Sequence, residues 1–261
     1  MADNRPSEAA LAAYRKVLMD DALGELRRSF CRTAARSLRN IAGWLGIDAV
    51  LGGGDLQKPD DVLSRDPDRH VGFRATAVVV EMASELISGA IREMDDDRRF
   101  AASALIRQLL ETEYLLHEFS QDFSQASKWA RSSSEDIRRL FRPATMRQIG
   151  GFSNTEYWNH CDMGGHPSPR GRVLLRYSPG VPRDEAEMMG ASIWGDMAQH
   201  LRRLWLTTDK LLTREHARYE SVRSSDRDPV NELIELWDDR DPLSRTTDFQ
   251  LVESLLDSEN P

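Results

Sequence analysis

Between Asp20 and Leu45 the apolar residues Leu23, Leu26, Phe30, Ala34, Leu38, Ile41 and Leu45 recur every three or four positions. That spacing returns to one face of an α-helix at every turn and does not suit a strand, where alternate residues share a face. The intervening arginines fall on the other side. The segment is therefore an amphipathic helix that must bury a stripe against neighbours. The same period recurs along most of the chain. Before it, "SEAALAAYRKVLM" reads as a helix with Ser7 as N-cap. After it, Ala75, Val78, Val79, Met82, Leu86 and Ala90 face one way, and "RRFAASALIRQLLETEYLLHEFSQDF" is the most apolar segment and the expected central helix.

Shorter helices follow. "SSSEDIRRLF" offers a capping box, Ser132 to Glu135 or Ser133 to Asp136. "RPATMRQIGGFS" ends at Gly150-Gly151, and Asn154 is the expected cap of the next helix. A long closing helix carries Met188, Ile193, Met197, Leu201, Leu204 and Leu211 as its core stripe. Two stretches break the pattern: a Gly- and Pro-containing loop at about 51–73 and a Pro-rich loop at about 166–183, the latter with room for a short strand at Val173 to Tyr177. The expected fold is all-α, an irregular multi-helix bundle.

The net charge of −8 is unevenly placed. From Asp226 onward eleven acids face three arginines, so the chain divides by charge into a bundle domain, 1–225, and an acidic tail, 226–261, with short amphipathic helices separated by Asp-Pro. Phe249, Val252, Leu255 and Leu256 form an apolar stripe in that tail, the pattern of a helix that lies in a partner's groove. Between Arg138 and Arg176 seven arginines face two acids. The acidic total argues against non-specific nucleic-acid coating, while this local basic stretch leaves room for a specific phosphate contact. Two cysteines, Cys31 and Cys161, make no disulfide framework. No run reaches the roughly 18 apolar residues of a membrane span, and the first residues lack the pattern of a signal peptide. A cytoplasmic location with no membrane contact is expected.

The densest chemistry lies in "EYWNHCDMGGHPSPRGR", Glu156 to Arg172. On a helix Glu156 and His160 are neighbours, as are Tyr157 and Cys161. Gly164-Gly165 is the expected left-handed helix end, and Pro167 holds His166 extended at a corner. His160, Cys161, Asp162 and His166 match no standard zinc spacing, and adjacent helical residues point about 100° apart, so no metal is expected. His166 is either a structural corner bonded to backbone or an acid–base group. On the central helix Arg107, Glu111, Tyr114 and Glu118 fall within an arc of about 60°. They form either a solvent face or an Arg–Glu pair at partial depth, which often marks a site. P-loop, Gly-x-Ser-x-Gly and His-Glu-x-x-His patterns are missing, and no cofactor is expected.

An Arg-x-x-x-Glu helix (Arg107, Glu111), followed by a Tyr helix that ends in His-Pro-Ser (Tyr157, Cys161, His166, Pro167, Ser168), resembles a group of uncharacterised bacterial all-helical proteins. Cys161 stands where those carry Ser, and His166 lies one residue further along because of an extra Gly. The resemblance covers Ala101 to Gly171, under a third of the chain. That group is in turn similar to the HEPN helical proteins, many of them metal-independent ribonucleases of toxin–antitoxin and phage-defence systems that act as dimers. It implies His166 as acid–base group, Arg107 as phosphate or orienting group, Glu111 and Tyr157 as their supports, and Arg170, Arg172, Cys161 and Ser168 as binding residues. The HEPN signature, Arg-x4–6-His, occurs as Arg65 to His70, in the loop rather than on a helix.

Two function classes follow. The preferred one is a non-catalytic adaptor or regulatory protein of a bacterial defence or toxin-type system. Its tail would bind a protein partner, and a buried Arg–Glu–His cluster that includes His166 would hold the fold. The alternative is a HEPN-like ribonuclease, a homodimer acting on RNA through His166 and Arg107.

Overall fold

A computed structural model describes residues 8–50, 67–175 and 182–244. Among them are ten α-helices and no strand, so the protein is an all-α multi-helix bundle. In chain order the helices are α1 (Glu8–Leu18), α2 (Asp21–Val50), α3 (Pro67–Asp95), α4 (Arg99–Gln121), α5 (Ser124–Arg131), α6 (Ser134–Leu140), α7 (Pro143–Gly150), α8 (Asn154–His160), α9 (Arg183–Glu215) and α10 (Tyr219–Arg240). Among the described residues, no helix is long and apolar enough to cross a membrane.

The stripe on α2 is the backbone of the core. Phe30, Ala34, Leu38, Ile41 and Leu45 are wholly buried, against α3 on one side and α9 and α10 on another. α4 is central, as its apolar sequence predicts. It packs on α3 and α9 and is crossed by α5, α7 and α8. α3 departs from expectation by a rotation. Val79, Val80, Ala83, Ile87 and Ala90 are buried, while Val78 and Met82 are 41% and 46% exposed. α3 lies between α2 and the α4–α5 pair, so its buried arc is set by two neighbours rather than one. Its start also differs. Pro67, suited to the first helical turn, begins the helix where the loop was expected to run to residue 73. His70 is thus helical, while Arg65 lies outside the described residues, as do Ser7 and residues 51–66.

The short helices refine the capping reading. Ser133 caps α6 by accepting from the Asp136 amide, and Ser153, not Asn154, caps α8 by accepting from the Glu156 amide at 3.2 Å. Gly151 ends α7 in the left-handed conformation, φ 68°. Gly164 and Gly165 do not. α8 instead runs into a π-helical turn, Cys161–Gly165. Gly164 is needed for close approach: a Cβ there would lie 2.6 Å from the Ser103 carbonyl carbon and 2.7 Å from the Ala104 nitrogen on α4. Val173 and Leu174 are not in a strand. They end a 3-10 helix, Pro169–Leu174, opened by a Ser168 cap and closed by burial of Leu174. Arg176 and Tyr177 lie outside the described residues.

α10 crosses the charge step at residue 226 without a break and carries Pro229 inside it. Asp226, Val230, Ile234 and Trp237 are buried, and the Trp237 ring lies 5.3 Å from that of Phe30 on α2. "VNELIELW" is thus bundle, not tail. The Phe249–Leu256 stripe lies outside the described residues.

Candidate functional site

Two polar clusters flank α4. The first gathers four of the residues singled out in the sequence. Arg107 Nε donates to Cys161 Sγ at 3.1 Å, and its Nη2 reaches Tyr157 Oη at 2.5 Å and Glu111 Oε1 at 2.9 Å. Its guanidinium lies 4.1 Å from the centre of the Tyr157 ring, and that of Arg147 lies 3.6 Å from it. This is an Arg–Glu pair at partial depth: α8 and the π turn pack over α4 beside it, Arg107 is mostly covered, and Glu111 keeps about 40% of its side chain open to solvent.

His166 is not part of that cluster's bonding. Its amide donates to the Cys161 carbonyl at 2.9 Å, but its side chain is exposed and makes no hydrogen bond among the described residues. The expected Arg–Glu–His cluster therefore reduces to Arg107 and Glu111 with Tyr157 and Cys161. Ser168 Oγ donates to the Asp162 carbonyl, Arg170 pairs with the Asp162 carboxylate at 2.9 Å, and Arg172 is exposed. The four residues weighed as metal ligands diverge. Cys161 turns to Arg107, Asp162 to Arg170, His166 to solvent and His160 to the interior.

His160 belongs to the second cluster, which sequence reasoning passed over. α9 supplies Asp196, His200 and Arg203, which share one helical face. α4 supplies Glu113, and α8 supplies Glu156 and His160. His200 Nε2 faces His160 Nε2 at 3.0 Å. Asp196 Oδ1 lies 3.5 Å from the His160 nitrogen and 3.6 Å from the His200 nitrogen. The other nitrogen of His200, Nδ1, lies 2.9 Å from Glu113 Oε2 and 2.6 Å from Arg203 Nη2. Arg203 bridges two acids, with Nε 2.7 Å from Glu113 Oε1 and Nη2 2.8 Å from Glu156 Oε1.

Depth gives these contacts their strength. His200 and Glu113 are 1% and 3% exposed. Burial and the Arg203 charge both oppose protonation of His200, yet bonds to Asp196 and Glu113 prevail and raise its pKa to about 9. Burial likewise opposes ionisation of Glu113 and Asp196. Their basic partners outweigh it, and both are held below the usual carboxylate range.

The cluster opens onto a cleft of about 770 Å³. The cleft is lined by Tyr14 and Leu18 of α1, Leu243, the α8 cap Ser153, Thr155 and Asn159 of α8, and Ser192 and Gln199 of α9. His160, Asp196, Glu156 and Arg203 reach its surface, and Asp196 keeps about a third of its side chain open. A sequence signal did exist. Asp196, His200 and Arg203 run beside the apolar stripe Ile193, Met197, Leu201 and Leu204, a titratable track next to a core face. The fold and site define an all-α bundle built around a buried His–carboxylate cluster at the edge of a cleft. No protein-family profile matches the chain, no curated protein matches it, and no solved structure matches it.

Proposed function

We propose that the protein is an enzyme that hydrolyses a small polar molecule in this cleft. The observation that carries the reading is the convergence of Glu156, Asp196, His160 and Arg203 at the wall of a ligand-sized cleft, backed by Glu113 and His200 sealed beneath them. Titratable groups with shifted pKa values beside a concave surface are the physical signature of acid–base chemistry. Glu156 is the proton acceptor. It is the acid of the cluster held by Arg203 at the cleft surface, whereas Glu113 is sealed beneath. It takes a proton from water, the water oxygen adds to a carbonyl carbon or phosphorus atom, and the proton passes to the leaving group. Arg203 offsets the charge that develops.

The test is turnover of a panel of activated esters and phosphodiesters by wild type and Glu156→Gln. A loss of at least hundredfold in kcat with unchanged circular dichroism supports the reading. No turnover by wild type, or equal rates in both, refutes it.

A protein-binding adaptor is the second reading, and one observation favours it. Ile47, Val78 and Met82 on α2 and α3 are large apolar side chains left 64%, 41% and 46% exposed. Val78→Glu with Met82→Glu would abolish capture of a protein partner while sparing the fold. Retained capture refutes this surface.

A further inference from the structure

We propose that His160, Asp196 and His200 hold one divalent transition-metal ion, zinc(II) by geometry, at the floor of the cleft. The inference rests on reading the cleft as the place where chemistry occurs, and it names the ion that would act there.

Shape is the first argument. The two imidazole Nε2 atoms and Asp196 Oδ1 form a triangle with edges of 3.0, 3.5 and 3.6 Å. Ligands of a tetrahedral ion with bonds of about 2.0–2.1 Å stand roughly 3.3–3.4 Å apart, and a point equidistant from these three atoms lies about 2.0 Å from each. The triangle is thus one face of a zinc coordination tetrahedron, and its fourth corner is free for water. Two imidazoles and one carboxylate with an open position form a catalytic rather than a structural donor set.

Protons supply the second argument. A metal at Nε2 requires the tautomer with the ring hydrogen on Nδ1, facing Glu113 Oε2 at 2.9 Å; Arg203 Nη2, 2.6 Å from the same nitrogen, then directs its hydrogens to the Glu156 and Glu113 carboxylates. With the ring neutral, the lone pair of His200 is on Nε2 and points at a second imidazole nitrogen and a carboxylate oxygen. Three electron-rich atoms facing one another repel unless a cation or a shared proton lies among them. A buried carboxylate that orients the rear nitrogen of a histidine is the usual support of a metal-binding imidazole.

Charge is the third argument. With both rings neutral, Glu113, Glu156 and Asp196 contribute three negative charges, and Arg203 returns one positive. One divalent ion balances the remaining two; the Glu113 charge is sealed from solvent, and those of Glu156 and Asp196 are partly open to it. Arg203 holds Glu156, whose Oε1 lies 3.8 Å from His200 Nε2. Glu156 is placed there to take the proton of a metal-bound water.

The experiment measures binding, not turnover. Full-length protein stripped with EDTA is titrated with Zn(II) by calorimetry, its metal content is measured after dialysis, and the spectrum of the Co(II) form is recorded. The expected result is one ion per chain, a sub-micromolar Kd and the intense visible bands of four-coordinate Co(II). Asp196→Asn is nearly isosteric and partly exposed, so it keeps the fold and isolates the ligand. It and His200→Gln each weaken binding at least a hundredfold. Glu113→Gln, a positioning change, weakens it about ten- to hundredfold. Cys161→Ser and His166→Ala leave the Kd unchanged. Failure to bind Zn(II), Co(II) or Mn(II) stoichiometrically overturns the proposal, as does binding that survives Asp196→Asn and His200→Gln or is lost in His166→Ala. One ion bound with no hydrolysis of the panel would refute the enzymatic reading and leave the metal site standing.

Discussion

Replacing Asp241 with Ala tests the account of how the cleft is walled. The Asp241 carboxylate is fully buried and accepts from Arg27 Nε and Nη2, each at 2.7 Å, from Trp237 Nε1 at 2.7 Å and from the Leu243 amide at 2.9 Å. Arg27, 1% exposed, also donates to the Leu18 and Val17 carbonyls at the end of α1, at 3.2 and 3.4 Å. One ion pair therefore ties α1, α2, α10 and the turn after it. Removing its acid leaves a buried guanidinium without counter-charge, which costs about 3–5 kcal/mol. It also orphans two further donors, at about 1 kcal/mol or more each. The sum of about 5–7 kcal/mol is a large part of the stability of an ordinary domain. For a chain of this size it corresponds to a fall of about 10 °C or more in Tm. The assay is urea unfolding followed by circular dichroism, comparing midpoints at constant slope. The double variant Arg27→Met with Asp241→Leu provides the contrast, because an apolar pair of similar volume leaves no stranded charge. It should unfold at higher urea than Asp241→Ala. A loss under 1 kcal/mol in the single variant, or a double variant no better than the single, would refute the reasoning.

Other consequences can be checked with equal directness. In metal-stripped protein the folded His200 pKa is raised to about 9, so its stabilisation, about 3 kcal/mol, is fully present below about pH 6.5 and is lost as pH rises through 9. His216 is shifted the other way, chiefly by burial. Its contribution is present above about 6.5 and lost as pH falls below that value. NMR titration should place the two rings on opposite sides of 6.5, and the reverse order would refute both. Gly164→Ala drives a Cβ into the backbone of α4 and should cost about 1–3 kcal/mol in urea unfolding. Arg107→Ala should lower Tm through lost stacking on Tyr157, and Arg107→Lys should not restore it, because only the planar guanidinium stacks on that ring while its Nε reaches Cys161 and its Nη2 reaches Glu111 and Tyr157. His166→Ala, at an exposed side chain, should leave stability within about 0.5 kcal/mol of wild type.

What the sequence discloses depends on how far apart the partners lie along the chain. The α2 stripe is legible because residues such as Leu38 and Ile41 declare their shared face within one turn. The Arg107–Glu111 pair is legible for the same reason. α3 misleads by rotation, since Val78 and Val80 differ in burial only through which neighbours flank the helix, and local period carries no record of that. The double glycine at 164–165 misleads because its reason lies on another helix, where the Ser103 backbone leaves no room for a Cβ. The His160–Asp196–His200 cluster was hidden most completely. His200 meets His160 across 40 residues of sequence and Glu113 across 87. The track on α9 suggests a polar face, but only the docking of α4, α8 and α9 turns that face into a site.

This separation has a thermodynamic consequence. Glu113 and Arg203 stand 90 residues apart, so the cluster has no counterpart in the unfolded chain. Anything that occupies it binds the native state alone and drags the folding equilibrium with it, by about 2.7 kcal/mol at a hundred times its Kd. Resistance to unfolding then serves as a titration curve. Candidate occupants can be ranked by how far each shifts the melt, before any reaction is known.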